Sequence, residues 1–384
     1  MIPLSVPSLR GNELKYIQEC IHTDWVSSAG DYVNKFEINL AEYTGSAFAV
    51  ACVNGTAALQ VALRIVGVSP GDEVIVPTLT FIATVNAVKY LGADPVFMDC
   101  DDFFNIDVEK TAEFLEKKTE VKNGSTYNKV TRKRIAAVVP VHVFGNAVNL
   151  MDLVPLCRQR NIMIVEDACE ALGSMYCTTG FEGKHAGTIG DIGCFSFNGN
   201  KIITTGGGGM IVTDSLHYAD RARYLTTQAK DNEVRYIHDE IGYNYRLTNI
   251  QGAIGVAQLY QLPEFLRIKQ KNYLQYKKKI EAIEGLNLVE TPPYAHNNHW
   301  MYALRIDIQH YGRNRDTLMT HLHKQGIQTR PVWYLNHLQK PYKHYQNYRI
   351  QKAHQMLENT LNIPCSVSLH ENDIAYVVEQ MQNG

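Results

Sequence analysis

The sequence predicts an α/β protein with a large, mostly parallel β-sheet, and three observations support this expectation. Short β-branched apolar runs typical of buried strands occur at 48–53, 73–76, 135–141, 162–165 and 209–213. Segments of helical period between most of these runs occur at 56–66, 80–90 and 150–158. Strands that alternate with helices indicate parallel pairing in a layered sheet with helices on both faces.

The length of the chain and a change in its residue pattern predict a second domain. The 384 residues, 45% hydrophobic and 20% charged, are enough for two or three domains of ordinary size. From about residue 248 a helical pattern rich in Lys, Gln and Tyr extends to about 286, and another helix is expected at 370–382. We therefore expect a large domain at 1–255, including an N-terminal arm, and a smaller C-terminal α/β domain at 256–384.

The charge and cysteine content exclude several classes of function. A formal charge of −2 argues against nucleic-acid partners and polybasic membrane surfaces. Residues 1–7 contain neither a charged leader nor an apolar core of signal-peptide length, and no later apolar run approaches the roughly 18 residues of a spanning helix. Eight cysteines without a Cys-x-x-Cys pair indicate reduced thiols. We expect a cytoplasmic protein without a membrane partner, a disulfide framework or a bound metal.

A basic segment at 122–134 carries five basic residues, no acidic residue and the turn signal Asn123-Gly124. This pattern favours a solvated hairpin or loop. A patch that steers polyphosphate ligands is the alternative.

Lys201 follows the apolar run Phe195–Phe197 and precedes four consecutive glycines, Gly206–Gly209. Few neighbours in such a setting would solvate an ammonium, which favours a nucleophilic free amine. Lys201 is therefore a candidate Schiff-base lysine. A surface lysine in a loop is the alternative, and the segments upstream bear on the choice.

The segment Asn54-Gly55-Thr56 connects an apolar strand to a helix. Backbone N–H groups, a hydroxyl and the positive end of the helix dipole meet at such a point, which is typical of a phosphate or carboxylate site. The alternative is that Thr56 caps the helix without any ligand.

Another strand, at 162–165, leads into Glu166 and Asp167, and Glu170 follows three residues later. A carboxylate at the end of a buried strand is costly unless it pairs with a cation or accepts several hydrogen bonds. It could bind a metal, a ribose or a pyridinium. Together with a reactive lysine and a phosphate site, the pyridinium is favoured, because one ligand requires all three.

Two further segments are less specific. Phe81 lies near the start of a helix in the run 77–87, where it could stack on a heteroaromatic ring or pack as a core residue. The polar run 242–251 precedes a helix of small residues and could complete a pocket or cap the helix.

In their order and their residues, these segments resemble the DegT/StrS-type nucleotide-sugar aminotransferases, which are fold-type I pyridoxal-phosphate enzymes. The resemblance begins at Trp25–Gly30 and continues to Arg330–Trp333. It implies pyridoxal 5′-phosphate as cofactor, with Lys201 as the Schiff-base lysine and Asp167 paired with the pyridine nitrogen. It also implies that Phe81 stacks on the ring. The residues implied to hold the phosphate are Gly55, Thr56 and Ser196.

The same resemblance implies a homodimer with shared active sites, because Asn244 would reach the phosphate from a second subunit. Two positions depart from the commonest family pattern. Glu170 replaces a frequent Gln that contacts the ring hydroxyl, a change associated with amination of C4 in 4-keto-6-deoxy sugars. Gly207 replaces a frequent Glu in the glycine run, which leaves the subfamily open. Lys201 itself argues against the dehydratase branch, which has His there.

The resemblance implies transfer of an amino group from glutamate to C4 of a nucleotide-linked 4-keto-6-deoxy sugar. UDP-2-acetamido-4-keto-2,6-dideoxyglucose, of bacillosamine or legionaminic acid pathways, is the first choice, and a GDP-perosamine-type substrate is the alternative. A non-catalytic, cofactor-binding regulatory protein is a third hypothesis.

Three residues, Ser28, Arg330 and His337, are implied to contact the substrate. The guanidinium fork of an arginine can donate to two oxygens of a diphosphate at once. A structural salt bridge for Arg330 and a core or surface position for His337 are the alternatives.

Overall fold

A computed structural model describes residues 1–232 and 234–383. The helices are α1 (Glu13–His22), α2 (Asp31–Thr44), α3 (Gly55–Ile65), α4 (Ala83–Tyr90), α5 (Val108–Lys118), α6 (Leu150–Gln159), α7 (Leu216–Thr226), α8 (Asn249–Ile280), α9 (Ile308–Tyr311), α10 (Arg315–Lys324), α11 (Lys352–Asn359) and α12 (Glu371–Asn383). Short 3₁₀ turns occur at Val143–Gly145 and Asn336–Leu338. Among the helices of these two ranges, none is long and apolar enough to cross a membrane.

Eight strands form the central sheet. They are β1 (Phe48–Cys52), β2 (Glu73–Pro77), β3 (Asp94–Met98), β6 (Ile135–Val138), β7 (Met163–Asp167), β9 (Ile192–Ser196), β10 (Gly209–Thr213) and β15 (Asn347–Tyr348). Their order is β1-β10-β9-β7-β6-β2-β3-β15, and five of the seven strand pairs are parallel. The predicted α/β class with a mostly parallel sheet is confirmed.

Each of the five predicted strands is present in this sheet, but the prediction missed β3, β9 and the two-residue strand β15. β3 begins with Asp94-Pro95, and β9 contains Gly193 at its second position. Pro and Gly are both depleted in strands, so the local pattern in these runs is weak. Partners on both sides form the ladder in each case.

The direction of the strands brings several loops to one edge of the sheet. β2, β6, β7 and β9 run parallel to one another. β1 runs in the same direction as β9, because both are antiparallel to β10. Ligands of parallel sheets bind beyond the carboxyl ends of the strands, and the segments after β1, β2, β7 and β9 meet there.

A second, four-stranded antiparallel sheet lies in the C-terminal part of the chain. Its strands are, in spatial order, β11 (Leu286–Leu288), β13 (Tyr302–Ile306), β16 (Thr360–Ile363) and β14 (Arg330–Pro331). Buried side chains of this sheet form a cluster with α8, α10 and α12, separate from the core of the central sheet. The expected domain boundary at 255/256 falls inside α8, a continuous helix that contributes residues to both clusters.

Two small antiparallel pairs complete the strands. The first joins β4 (Thr119–Lys122) to β5 (Ser125–Asn128), and the second joins β8 (Met175–Tyr176) to β12 (Ala295–His296). The first pair confirms the hairpin predicted in the basic segment, with its turn at Asn123-Gly124. Three basic residues beyond this turn pair with acids, in the contacts Arg132–Glu120, Lys133–Asp94 and Arg134–Asp72. These pairs favour a structural role for the segment.

The eight cysteines are all free thiols, as the sequence predicts. Six of them are buried, Cys169 is partly buried and Cys177 is exposed. Burial raises the pKa of Cys52 to about 12, and it acts in the same direction on several others. These buried thiols therefore behave as small apolar core residues rather than as nucleophiles.

Candidate active site

A cavity of about 340 Å³ opens at the carboxyl edge of the central sheet. Its size is within the usual range for small-molecule sites. Seven of the residues predicted from the sequence line it, namely Gly55, Thr56, Phe81, Asp167, Glu170, Ser196 and Lys201. Further lining residues are Asn54, Leu59, Thr80, Ala83, Thr84, Val141, Cys169, Asn198, Asn200, Trp300 and Trp333.

One end of the cavity is formed by the beginning of α3. The first N–H groups of a helix have no acceptor within the helix, and its dipole makes this end positive. The N-cap is Asn54, whose side chain accepts a hydrogen bond of 2.8 Å from the backbone N–H of Ala57. The hypothesis that Thr56 is the N-cap is therefore wrong, because Thr56 lies within the first turn of the helix.

Gly55 makes close packing possible at this end. A Cβ atom at Gly55 would lie 2.7 Å from Sγ of Cys169 and 2.9 Å from Cβ of Ser196. Any side chain would therefore collide with β9 and with the segment after β7. The lack of a side chain brings the first turn of α3 and the hydroxyl-bearing Ser196 to the same side of the cavity.

Asp167 is the last residue of β7 and is 5% exposed. Oδ2 of Asp167 accepts a hydrogen bond of 2.6 Å from Oγ1 of Thr84 in α4, and Oδ1 accepts one of 3.2 Å from the N–H of Cys169. These two donors fix the carboxylate at the cavity wall. Its remaining acceptor capacity is available to a ligand.

Glu166, the residue before Asp167, is fully buried and points into the protein instead. Its carboxylate accepts hydrogen bonds from Nε2 of His142 and from the backbone N–H groups of Gly187, Ile189 and Gly190. Burial alone would raise the pKa of Glu166, but these donors hold it below its usual value. Glu166 thus anchors the loop between β8 and β9, while Asp167 faces the cavity.

Lys201 lies in a turn five residues after the end of β9. Its Nζ is 3.3 Å from Oε1 of Glu170 and 4.0 Å from the centroid of the Trp300 ring. The expectation that few groups would stabilise its ammonium is wrong, because a carboxylate and an aromatic face both contact it. The prediction that Lys201 lies beside an acid in a ligand cavity agrees with this position.

Glu170 is held by the backbone N–H of a residue with an unusual conformation. Its Oε2 accepts a hydrogen bond of 2.9 Å from the N–H of Phe144, which has a φ of 57°. A bulky residue rarely adopts this left-handed conformation, and the cost is on the order of 1 kcal/mol. Burial raises the pKa of Glu170, and the nearby charge of Lys201 and the Phe144 N–H oppose that effect.

Aromatic side chains form another wall of the cavity. Phe81 is 54% exposed and its ring centroid is 6.4 Å from that of Trp333. Trp333 in turn packs on Phe144 at 4.9 Å. The interpretation of Phe81 as a core residue is therefore wrong, since its ring lies at the open side of the cavity.

Four predicted residues lie outside the cavity lining of this single chain. Ser28 and Asn244 are exposed loop residues. Arg330 is exposed on the edge strand β14, and it has no acidic partner within 4 Å in the two ranges that the structure covers, so the alternative of a salt bridge is not supported. His337 is 8% exposed, and its Nδ1 lies 2.7 Å from Oγ1 of Thr78, which favours the alternative of a core position. Burial lowers the pKa of His337 to about 4.

The sequence model of the DegT/DnrJ/EryC1/StrS aminotransferase family matches residues 7–382. The chain belongs to this family. A GDP-perosamine synthase of Caulobacter vibrioides is 38% identical over 381 residues, which are 98% of this chain and 96% of the relative. A GDP-perosamine synthase of Escherichia coli O157:H7 is 38% identical over 382 residues, 99% of this chain and 97% of the relative.

Solved structures agree with this assignment. The aminotransferase TlmJ from Streptoalloteichus hindustanus has a TM-score of 0.88 and 28% identity, and the match covers 100% of this chain and 98% of that one. The DegT/StrS-type protein is therefore a pyridoxal-phosphate-dependent aminotransferase with the fold-type I architecture. The predicted family, fold, enzyme class and cofactor are confirmed.

The residues around the cavity of this aminotransferase fit pyridoxal phosphate by their chemistry. The first turn of α3, with the hydroxyls of Thr56 and Ser196, provides donors for a phosphate. Asp167 provides a carboxylate for a protonated ring nitrogen, and Lys201 provides an amine for an aldehyde. The close approach around Gly55 leaves the donors at the phosphate end unobstructed.

Several lining residues of the aminotransferase were not predicted. Asn54, Thr84 and Trp333 stand in the same segments as residues that were predicted to line the site. Their position after a strand could therefore have identified them. Trp300 follows the run Asn297-Asn298-His299, which has no chemical pattern of its own. Its contact with Lys201 joins positions about 100 residues apart and arises only in the folded chain.

Proposed function

We propose that this aminotransferase transfers an amino group from glutamate to C4 of a GDP-linked 4-keto-6-deoxy sugar. The observation that carries the proposal is the convergence of Lys201, Glu170 and Asp167 on the cavity that begins at α3. Pyridoxal phosphate, when bound, supplies an aldehyde carbon that accepts the amino group and a ring that withdraws electrons from the reacting carbon.

Lys201 is proposed as the catalytic base and acid. Its amine, once free, can take a proton from the α-carbon of glutamate and later give one to the sugar carbon. Glu170 lies 3.3 Å from that amine and stabilises its protonated form. This ion pair restricts the position of the Lys201 amine while the amine is protonated.

Asp167 is proposed to keep the pyridine nitrogen protonated through a charge-assisted hydrogen bond. Thr84 and the N–H of Cys169 already hold the carboxylate, so it needs no rearrangement to accept that bond. We also propose that Phe81 stacks on the ring and that Gly55, Thr56 and Ser196 bind the phosphate.

The choice of nucleotide rests on the relatives. The family resemblance favoured a UDP-linked N-acetylated sugar, with a GDP-perosamine-type substrate as the alternative. Two relatives that match nearly the whole chain at 38% identity carry the name GDP-perosamine synthase, which supports the alternative. Glu170 is consistent with amination at C4 in either case. We keep Arg330 and Ser28 as proposed substrate contacts, because both are exposed and without acidic partners in the described ranges.

The test follows the absorbance of the enzyme-bound cofactor. Glutamate should change the spectrum of the purified enzyme, and a GDP-linked 4-keto-6-deoxy sugar should then restore it and yield an aminated product by mass spectrometry. UDP-2-acetamido-4-keto-2,6-dideoxyglucose is the matched comparison. Restoration by the UDP sugar alone would favour that substrate, and a spectrum that does not respond to glutamate would contradict glutamate as the amino donor.

A homodimer with shared active sites is also proposed. Asn244, which the family resemblance implies in phosphate binding, is exposed and outside the cavity lining of its own chain. Nearby Val234, Tyr236 and Ile241 are 88%, 72% and 78% exposed. Apolar side chains this exposed in one segment are typical of a surface that a partner covers.

A further inference from the structure

Trp300 contacts Lys201 at two points. The Nζ atom of Lys201 lies 4.0 Å from the centroid of the indole ring, and an indole face attracts a cation at this distance. The indole Nε1–H donates a hydrogen bond of 2.6 Å to the backbone oxygen of Asn200, the residue before Lys201. One side chain therefore contacts both the ammonium and the backbone from which that ammonium extends.

Trp300 is itself rigidly held. It is 3% exposed, and its backbone N–H donates a hydrogen bond of 2.9 Å to Oδ1 of Asn298. Its backbone oxygen accepts one of 3.0 Å from Nζ of Lys269, a lysine that is also 3% exposed. Lys269 donates a second bond, of 2.6 Å, to the backbone oxygen of Cys365. The buried lysine thus connects Trp300 to Cys365, two residues after the end of β16.

We propose that Trp300 is a positioning residue for Lys201, holding the lysine amine against the cavity wall while the lysine is not bonded to the cofactor. This inference rests on the proposed role of Lys201. A free lysine side chain has four rotatable bonds, and a fixed position next to the reacting carbon raises its effective concentration there. The indole face and Glu170 hold the ammonium, and the indole N–H holds the turn that carries it.

The test uses cofactor-free protein, so that its outcome does not depend on turnover. Limiting acetic anhydride reacts with unprotonated amines, and peptide mass spectrometry compares acetylation of Lys201 with that of the exposed Lys15. Trp300→Leu removes the aromatic face that favours the ammonium. It should raise the Lys201-to-Lys15 ratio by about two- to thirty-fold.

Two variants separate positioning from a general opening of the cavity. Trp333→Leu removes an indole from the same cavity, and Trp300→Phe keeps an aromatic face beside Lys201. Both should change the ratio less than Trp300→Leu does. An equal effect of Trp333→Leu, or no effect of Trp300→Leu, would overturn the proposal.

A second measurement covers the case in which Trp300→Leu does not fold. The chain has three tryptophans, so Trp25→Phe combined with Trp333→Phe leaves Trp300 as the only one. In this cofactor-free protein, Lys201→Met removes the cation from the indole face and should shift the emission maximum. An unchanged emission spectrum would overturn the proposed contact, whatever the enzyme's activity with glutamate.

Discussion

Replacing Lys201 by Ala removes the amine beside Glu170 but leaves the donors of α3 and the carboxylate of Asp167 in place. We expect the glutamate half-reaction to slow by roughly 10²- to 10⁴-fold or more, since the proton then has no positioned carrier. The cofactor should still bind noncovalently, as measured by equilibrium dialysis. Lys184→Ala, at an exposed lysine, is the control, and an active Lys201→Ala enzyme would refute the assignment.

His185 illustrates a residue whose neutral form the fold requires. Its Nε2 accepts a hydrogen bond of 2.7 Å from the N–H of Gly173, while its Nδ1 donates to the oxygen of Ala186. Protonation of Nε2 would break the first bond, and burial lowers the pKa of His185 to about 4. The unfolded chain therefore binds this proton at higher pH than the folded protein does.

We expect part of the unfolding free energy to be lost as the pH falls from about 6.5 to about 4, by up to roughly 1.4 kcal/mol per unit from His185. The contribution is fully present above the unfolded value of about 6.5. Urea titrations at several pH values measure it. His185→Gln, which does not titrate and has an oxygen that can accept the hydrogen bond from Gly173, should flatten this dependence, whereas the exposed His217→Gln should not. Equal slopes in all three proteins would contradict the explanation.

At the scale of elements, α8 contains a buried cation without an acidic partner within 4 Å in the part of the chain that the structure describes. Burial lowers the pKa of Lys269. Below about pH 10.4, the usual pKa of lysine, the unfolded chain binds this proton more strongly than the folded protein does. The contribution of Lys269 to the free energy of unfolding therefore rises with pH toward that value.

The difference in unfolding free energy between wild type and Lys269→Met should accordingly grow in favour of wild type over the pH range that leads up to about 10.4. Thermal or urea unfolding across this range measures the difference. Lys271→Met changes an exposed lysine two positions along the same helix and should show no such trend. If the difference in unfolding free energy between wild type and Lys269→Met stays constant with pH, Lys269 binds its proton equally in the folded and unfolded states, which would contradict the prediction.

The elements that were predictable from sequence are those with a strong local pattern. The apolar runs of β1, β2, β6, β7 and β10 predicted five strands of the sheet, and the ends of β1 and β7 predicted positions for Gly55 and Asp167 that line the cavity. β3 and β9 were missed because Pro95 and Gly193 weaken a signal that the sheet partners restore.

Contacts that depend on distant parts of the chain were not predictable. Trp300 contacts Lys201 from a position about 100 residues away, and the N–H of Phe144, which has a left-handed conformation, binds Glu170 across 26 residues. His337 was assigned to the substrate from the resemblance, whereas the fold hydrogen-bonds it to Thr78. In each case, a tertiary partner decides the role of the side chain.

At the scale of the whole molecule, the proposed homodimer makes a quantitative prediction. Lys201→Ala and Asn244→Ala are each expected to be inactive or strongly impaired. If Asn244 acts in the partner's cavity, random mixing gives half heterodimers with one intact site each, which restores up to about a quarter of wild-type activity. Assays after denaturation and refolding of the mixture measure this.

Unmixed samples of each variant, refolded in the same way, are the control for that experiment. Sedimentation of the wild type should give a dimer or a larger assembly. If the mixture remains as inactive as its components while dimers do form, Asn244 does not act across the interface.

The length of α8 is subject to a constraint that its composition does not reveal. Near its start, Gln251 donates a hydrogen bond of 2.6 Å to the oxygen of Gly207 in the glycine run, and 18 residues later, about 27 Å along the axis, Lys269 holds Trp300. Inserting one residue between them would rotate the far half of the helix by about 100° and swing Lys269 away from Trp300. Substitutions of exposed side chains of this helix leave both attachments in place, whereas an insertion or deletion between them would separate the two attachments that flank Lys201.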